Sequence, residues 1–169
     1  MSLRILDHLS TRRWRRATPD CLIKLMSPEQ ILRETKVNVS PETFAVVSIT
    51  PDEMTALLGD PSLSPRMTAP FMIFKDTHEV TLLLDEADLR NMRPGLAGAK
   101  IANGYRLLTF ETVLELTVVG FMATVSRIFA DAGVPILPVS AFSRDHLLVR
   151  QIDLPTALKA LSPHVLELC

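Results

Sequence analysis

The residues with the most chemical content lie around two turns. Residues 134–150 read V-P-I-L-P-V-S-A-F-S-R-D-H-L-L-V-R, two apolar runs of strand character around a polar tetrad that contains Asp145. Upstream, Gly120 separates the apolar run V-L-E-L-T-V-V from the amphipathic stretch F-M-A-T-V-S-R-I-F-A-D-A. A turn from a strand into a helix exposes unpaired amide groups that favour a carboxylate. A carboxylate such as Asp145 offers its charge to an ammonium or guanidinium. A molecule carrying both charges, as an amino acid does, satisfies both groups. Each residue also has a plain structural explanation: Gly120 for tight backbone geometry, and Asp145 as a turn former with Ser143 and Arg144. On the residues alone both readings stay open.

Other motifs carry less. Asp85-Glu86-Ala87-Asp88 spells the magnesium-binding box of a helicase, but no Gly-rich loop ending in Gly-Lys-Ser/Thr accompanies it, and G-L-A-G-A-K-I lacks the Gly-Lys pair and the hydroxyl. Acidic residues after a strand also suit the positive end of the next helix. R-R-W-R-R (Arg12 to Arg16) sets four guanidinium groups around Trp14; this suits RNA phosphates and a stacked base, or a solvated edge strand and a protein contact. His8, His78, His146 and His164 have no metal spacing, and Cys21 and Cys169 are too few and too far apart for a disulfide framework or a zinc site. No nucleophile elbow or acid–base pair stands out, so no enzyme activity, metal or cofactor is expected.

The 169 residues carry 18 Lys and Arg against 19 Asp and Glu, a formal net charge of -1. No global field draws the protein to nucleic acid or an anionic membrane. Apolar residues make up 47% and aromatic residues only 5%, so the core is built mainly of Leu, Val, Ile, Ala and Met. No apolar run approaches the roughly 18 residues of a membrane span, and no secretory leader is evident. The expectation is a cytoplasmic protein.

The elements that position the two turns follow from periodicity. The alternating segment from Leu3 to Leu9 suits a strand, the run from Cys21 suits a strand or the opening of a helix, and a short helix starts at a Ser27-Pro28 cap. F-A-V-V-S-I is a buried strand, followed by a helix with Thr50 as cap, Pro51 first and Gly59 at its end. F-M-I-F-K and E-V-T-L-L-L are strands around a D-T-H turn, A-D-L-R-N-M-R is a helix stopped by Pro94-Gly95, and Y-R-L-L-T-F is a strand. The order then recurs: V-L-E-L-T-V-V as strand, a helix from Phe121 to Gly133 burying Phe121, Val125, Ile128 and Phe129, two strands, D-L-P-T-A-L-K-A-L as a helix capped by Asp153, and H-V-L-E-L as the last strand. Two βαββαβ copies are predicted.

G-V-P-I-L-P-V-S-A-F-S-R-D-H-L-L-V followed by D-L-P-T-A-L-K-A-L resembles the end of an ACT domain. More narrowly it resembles the tandem ACT domains of the CASTOR-type cytosolic arginine sensors and their small bacterial relatives, through Ser140-Ala141-Phe142-Ser143-Arg144-Asp145 before the third strand. L-R-I-L-D-H, L-I-K-L-M, F-M-I-F-K-D and T-L-L-L-D-E extend the likeness weakly to the N-terminal half.

The resemblance implies an α+β fold of two ferredoxin-like ACT units with antiparallel sheets and helices on one face. Residues 1–104 form the first unit, with an insertion at about 27–43, and residues 105–169 form the second. It implies a non-catalytic amino-acid-binding regulator, its ligand held between paired units by Thr117, Val118, Gly120 and Phe121, by Pro135 and Ile136, and by Asp145 with Ser140 and Phe142 of the same pattern. Thr117-Val118-Val119-Gly120 lacks the Asp-x-Pro-Gly signature of enzyme-linked ACT domains and the acidic pair of the arginine-holding half, and Pro135 removes an amide. The resemblance therefore does not carry arginine over as the ligand. The sensors hold four units in one chain where this one has room for two, so a homodimer is expected. The alternative is a ligand-free ACT-fold module that binds a protein partner in a regulatory complex, with the Arg12 to Arg16 run as its contact.

Overall fold

The computed structural model describes residues 26–169. The expectations for Leu3 to Leu9, the Arg12 to Arg16 run and the element opening at Cys21 lie outside the described residues.

Ser27 opens helix α1 (Pro28–Arg33) with a capping box, its hydroxyl accepting from Gln30 N while Gln30 Oε1 accepts from Ser27 N. Strand β1 (Lys36–Ile49) leads into α2 (Pro51–Leu58), where Thr50 and Glu53 form a second box, Pro51 takes the first position and Gly59 caps the end as predicted. Strands β2 (Met72–Lys75) and β3 (Val80–Asp85) join through Asp76, whose Oδ1 accepts from His78 N at 2.7 Å and Glu79 N at 2.8 Å. Helix α3 (Glu86–Met92), strand β4 (Lys100–Phe110), helix α4 (Phe121–Asp131), strands β5 (Ile136–Ser140) and β6 (Asp145–Arg150), helix α5 (Leu154–Leu161) and strand β7 (Glu167–Leu168) complete the order.

The strands form one sheet in the order β2-β3-β1-β4-β6-β5, antiparallel throughout, with β7 parallel to the start of β1. Alternation along the strands sends two apolar sets against the helices. One joins Ala45, Val47, Leu82 and Leu84 to Leu57, Leu89 and Met92. The other joins Val37, Leu108, Leu147 and Val149 to Leu32, Val125, Phe129 and Leu161. The intervening residues Phe44, Leu83, Leu107 and Leu148 form a third cluster on the opposite face of the sheet. The class is α+β with ferredoxin-like βαββαβ order, as expected. No helix among the described residues is long and apolar enough to cross a membrane.

The acidic box after β3 is structural. Asp85 caps α3 by accepting from Asp88 N at 2.7 Å, and Arg66 pairs with both carboxylates, its Nε lying 2.8 Å from Asp88 Oδ1.

Several local expectations change. V-L-E-L-T-V-V is loop, because β4 ends at Phe110 and residues 113–119 have no neighbouring strand to pair with. Leu114 and Val118, four residues apart, pack on the core while Val113, Leu116 and Val119 stay exposed, which is not the burial pattern of a strand. H-V-L-E-L yields only Glu167–Leu168, paired with Lys36 and Val37 of β1. Residues 27–43, expected as an insertion, carry α1 and the first part of β1, and α1 packs on α4. Residue 104, where the two units are expected to meet, is within β4. Asp145 begins β6 instead of sitting in the turn, and Asp153 makes no side-chain cap because its carboxylate takes Arg150 Nε at 2.7 Å.

Two outcomes follow from the packing. Phe129 is fully buried in the larger cluster, so Phe129→Ala is expected to lower the unfolding free energy by about 3–5 kcal/mol in urea titrations. His146 on β6 is half-buried, its Nδ1 2.9 Å from Thr109 Oγ1 of β4. Burial pushes its imidazole below the ordinary value, Asp145 and Glu111 partly oppose this, and Arg144 adds to the lowering. The unfolded chain therefore takes up this proton at higher pH than the folded one. The associated stability is complete above the unfolded value of 6.5 and is lost as pH falls through the lower folded value. Urea midpoints measured near pH 7.5 and near pH 5 should converge more closely in His146→Gln than in the parent; equal losses in both proteins would remove His146 as the cause.

Candidate functional site

Residues 111–120, between β4 and α4, are anchored at both ends. Glu111 N donates to Lys36 O at 2.9 Å. Thr112 Oγ1 lies 2.5 Å from Thr35 Oγ1, and since the Thr35 hydroxyl donates to Ile31 O at 2.7 Å, Thr112 is the donor to it. At the far end Gly120 adopts φ 90° and ψ -6°, a left-handed conformation that L side chains resist. A Cβ there would also stand 3.2 Å from Pro28 Cγ of α1. The glycine supplies no side-chain cap, so the first turn of α4 begins with amide donors that no side chain of its own element satisfies.

The β5–β6 connection faces this loop. Ala141 N donates to Arg144 O at 2.9 Å, which closes a four-residue turn and leaves Ser140 opposite Asp145 across the strand pair. Ser140 Oγ donates to Asp145 Oδ1 at 2.6 Å and fixes the carboxylate. Leu114 N donates to Ser143 O at 2.9 Å and ties loop and turn together. Arg144 Nε lies 3.2 Å from Glu111 Oε2, close enough for an ion pair but without hydrogen-bond alignment. Glu115 Oε2 accepts from Thr117 Oγ1 at 3.2 Å.

Loop, turn and the start of α4 border an open cavity of about 300 Å³. Of the residues predicted for the site, Val118, Gly120, Phe121, Ser140, Phe142 and Asp145 line it. Thr117 is exposed beside Glu115, outside the lining. Pro135 and Ile136 are at the opposite end of β5, where Ile136 pairs with Val149 and packs on the core, so a strand's length separates them from the turn. Sequence reasoning missed Leu114, Glu115, Leu116, Met122 and Arg144, which also line the cavity. Reading 113–119 as a strand hid three of them in a ladder, and Arg144 read only as a turn residue.

A second cavity of about 400 Å³ lies beside Glu42, Arg66, Asp85 and Arg90. Its charges are largely committed internally, Arg66 to Asp85 and Asp88, and Glu42 to Ser40 Oγ at 2.5 Å. Among the described residues no three of His, Cys, Asp and Glu gather at metal-binding distance. The cavity at Asp145 thus joins an anchored carboxylate and an uncapped helix start, a pairing suited to a small zwitterion.

Comparisons with known proteins agree with this geometry at the level of fold. No curated protein matches the chain. A solved protein from Agobacterium tumefaciens is 18% identical, with 80% of this chain and 92% of that one covered and a TM-score of 0.62. A protein of unknown function from Vibrio cholerae, described as a possible transport protein, is 19% identical over 78% of this chain and 90% of its own, with a TM-score of 0.57. The regulatory subunit of aspartate kinase from Thermus flavus is 14% identical over 78% of this chain and 98% of its own, with a TM-score of 0.58. A family model described as an ACT domain matches residues 100–163, from the first residue of β4 into the turn after α5. The residues that build the cavity around Gly120 and Asp145 thus lie within the segment that matches the ACT-domain model.

Proposed function

We propose that the protein is a non-catalytic regulatory module that binds a free amino acid in the cavity between the α4 start and the β5–β6 turn. The observation that carries this is the placement of Asp145, held by Ser140, across one cavity from the uncapped first turn of α4. The carboxylate of the ligand would meet the amides at Gly120 and Phe121, and its ammonium would meet Asp145. The ACT domain at 100–163 supports a regulatory role, and aspartate kinase regulatory subunits share the fold. In this reading residues before and after about 104 form two ACT-like units in a cytoplasmic protein, and a second copy of the chain pairs with them.

The test is a thermal-shift screen of the protein against the common amino acids at millimolar concentration. A ligand present at a hundredfold excess over its Kd should stabilise the fold by about 2.7 kcal/mol. Asp145→Ala, at a half-exposed position, should keep its circular dichroism and lose the ligand-dependent shift. A shift that survives in Asp145→Ala would remove the role given to that carboxylate, and the absence of any shift in the parent protein would overturn the reading.

A further inference from the structure

Resting on that reading, we infer that the amino acid taken by this site has an uncharged apolar side chain. The two groups suited to a ligand backbone, Asp145 and the α4 start, account for the cavity's anchored anion and its amide donors. Much of the remaining wall is hydrocarbon: Leu114, Leu116, Val118, Met122 and Phe142. Leu116 and Phe142 are 77% and 83% exposed although both border the cavity. Large apolar side chains left in water from two separate turns, in segments tied by the Leu114 N to Ser143 O bond, mark a surface suited to being covered.

Charge points the same way. Arg144 is ion-paired with Glu111, though its Nε lacks a hydrogen-bond partner, and Glu115 accepts from Thr117, so the charges near the cavity are already balanced within the protein. A guanidinium or ammonium on the ligand side chain would shed water to reach carboxylates that already have partners, and a second carboxylate would have to draw Arg144 from Glu111. A hydrocarbon side chain gains by covering Leu116 and Phe142 at no such cost. The volume of about 300 Å³ suits one amino acid.

The experiment is calorimetric titration of the parent protein and of Phe142→Ser and Leu116→Ser with glycine, alanine, 2-aminobutyrate, norvaline, norleucine, leucine, methionine, arginine, lysine, aspartate and glutamate. Both substitutions are at exposed positions and should leave the fold intact. Affinity should rise along the straight-chain series by roughly fourfold per methylene, the equivalent of about 0.8 kcal/mol each. Phe142→Ser should weaken norleucine by about tenfold and alanine little, a split that a purely structural role would not produce. Preference for a charged amino acid, or a flat series, overturns this inference while leaving the proposed function standing. Absence of binding by every amino acid overturns both.

Discussion

One sheet serves two halves because β1 and β4 run through both, and they do so only by irregular pairing. Val39 faces Leu108 and Thr43 faces Arg106, so β1 carries two more residues than β4 across that step. Phe44 then faces Tyr105 and Val46 faces Ala102, so β4 carries one more across the next, at Asn103 and Gly104. Gly104 has φ 80°, as a bulge residue of this kind requires. The two extra residues leave the alternation of β1 unchanged, so Val37 and Val47 both face helices. The single extra residue reverses that of β4, which lets Ile101 pack with the first cluster and Leu108 with the second. Without the bulge at Gly104, one half of β4 would turn its apolar set away from the helices. The carbonyl freed in the β1 irregularity does not go unpaired: Ser40 O accepts from Arg106 Nε at 3.1 Å and Nη2 at 2.6 Å. Pro41, which has no amide to pair, lies in the same step.

That frame sets where the cavity opens. Phe110 ends β4 and Phe121 begins α4, and the two rings meet edge to face with centroids 5.6 Å apart. The chain between them must leave the sheet and return within a short distance, which lifts residues 111–120 into a loop over the β5–β6 turn. Helix α1 braces the start of α4, with Pro28 against Gly120 and Glu29 accepting from Thr124 Oγ1 at 3.1 Å. Residues 28–33 therefore help to hold the start of α4 in a half of the molecule far along the chain from their own position.

Elements whose signals are local were legible in the sequence. The N-caps at Ser27 and Thr50, the turn at Asp76, the glycine at the turn before α4 and the amphipathic face of α4 each depend on residues within a few positions of one another. What was not legible depends on partners distant in sequence. The alternation at 113–119 gives a period of two, but period does not say whether a strand lies alongside, and none does. A strand divided between two halves cannot be seen in a reading that assigns each residue to one unit, so the pairing of residues 36–43 within the shared sheet was not legible. The site shows the same division. Gly120 and Asp145 were found through turn chemistry, whereas Glu115 and Arg144 reach the cavity only because the loop folds over the turn.

The cavity walls also explain why a small ligand would matter to this fold. Loop, turn and helix start meet through few direct bonds, the Leu114 amide to Ser143 being the main backbone link between the first two. A molecule held by both Asp145 and the α4 start would join the beginning of β6 to the beginning of α4, elements otherwise linked through the apolar cluster of Phe121, Val125, Leu147 and Val149. Because β6 pairs with β4, and β4 with β1 on both sides of the bulges, tightening that junction acts on the strands the other half also uses. Coupling of this kind needs no moving domain: a ligand bound there would raise the stability of one half, and the shared strands would pass that stabilisation to the other.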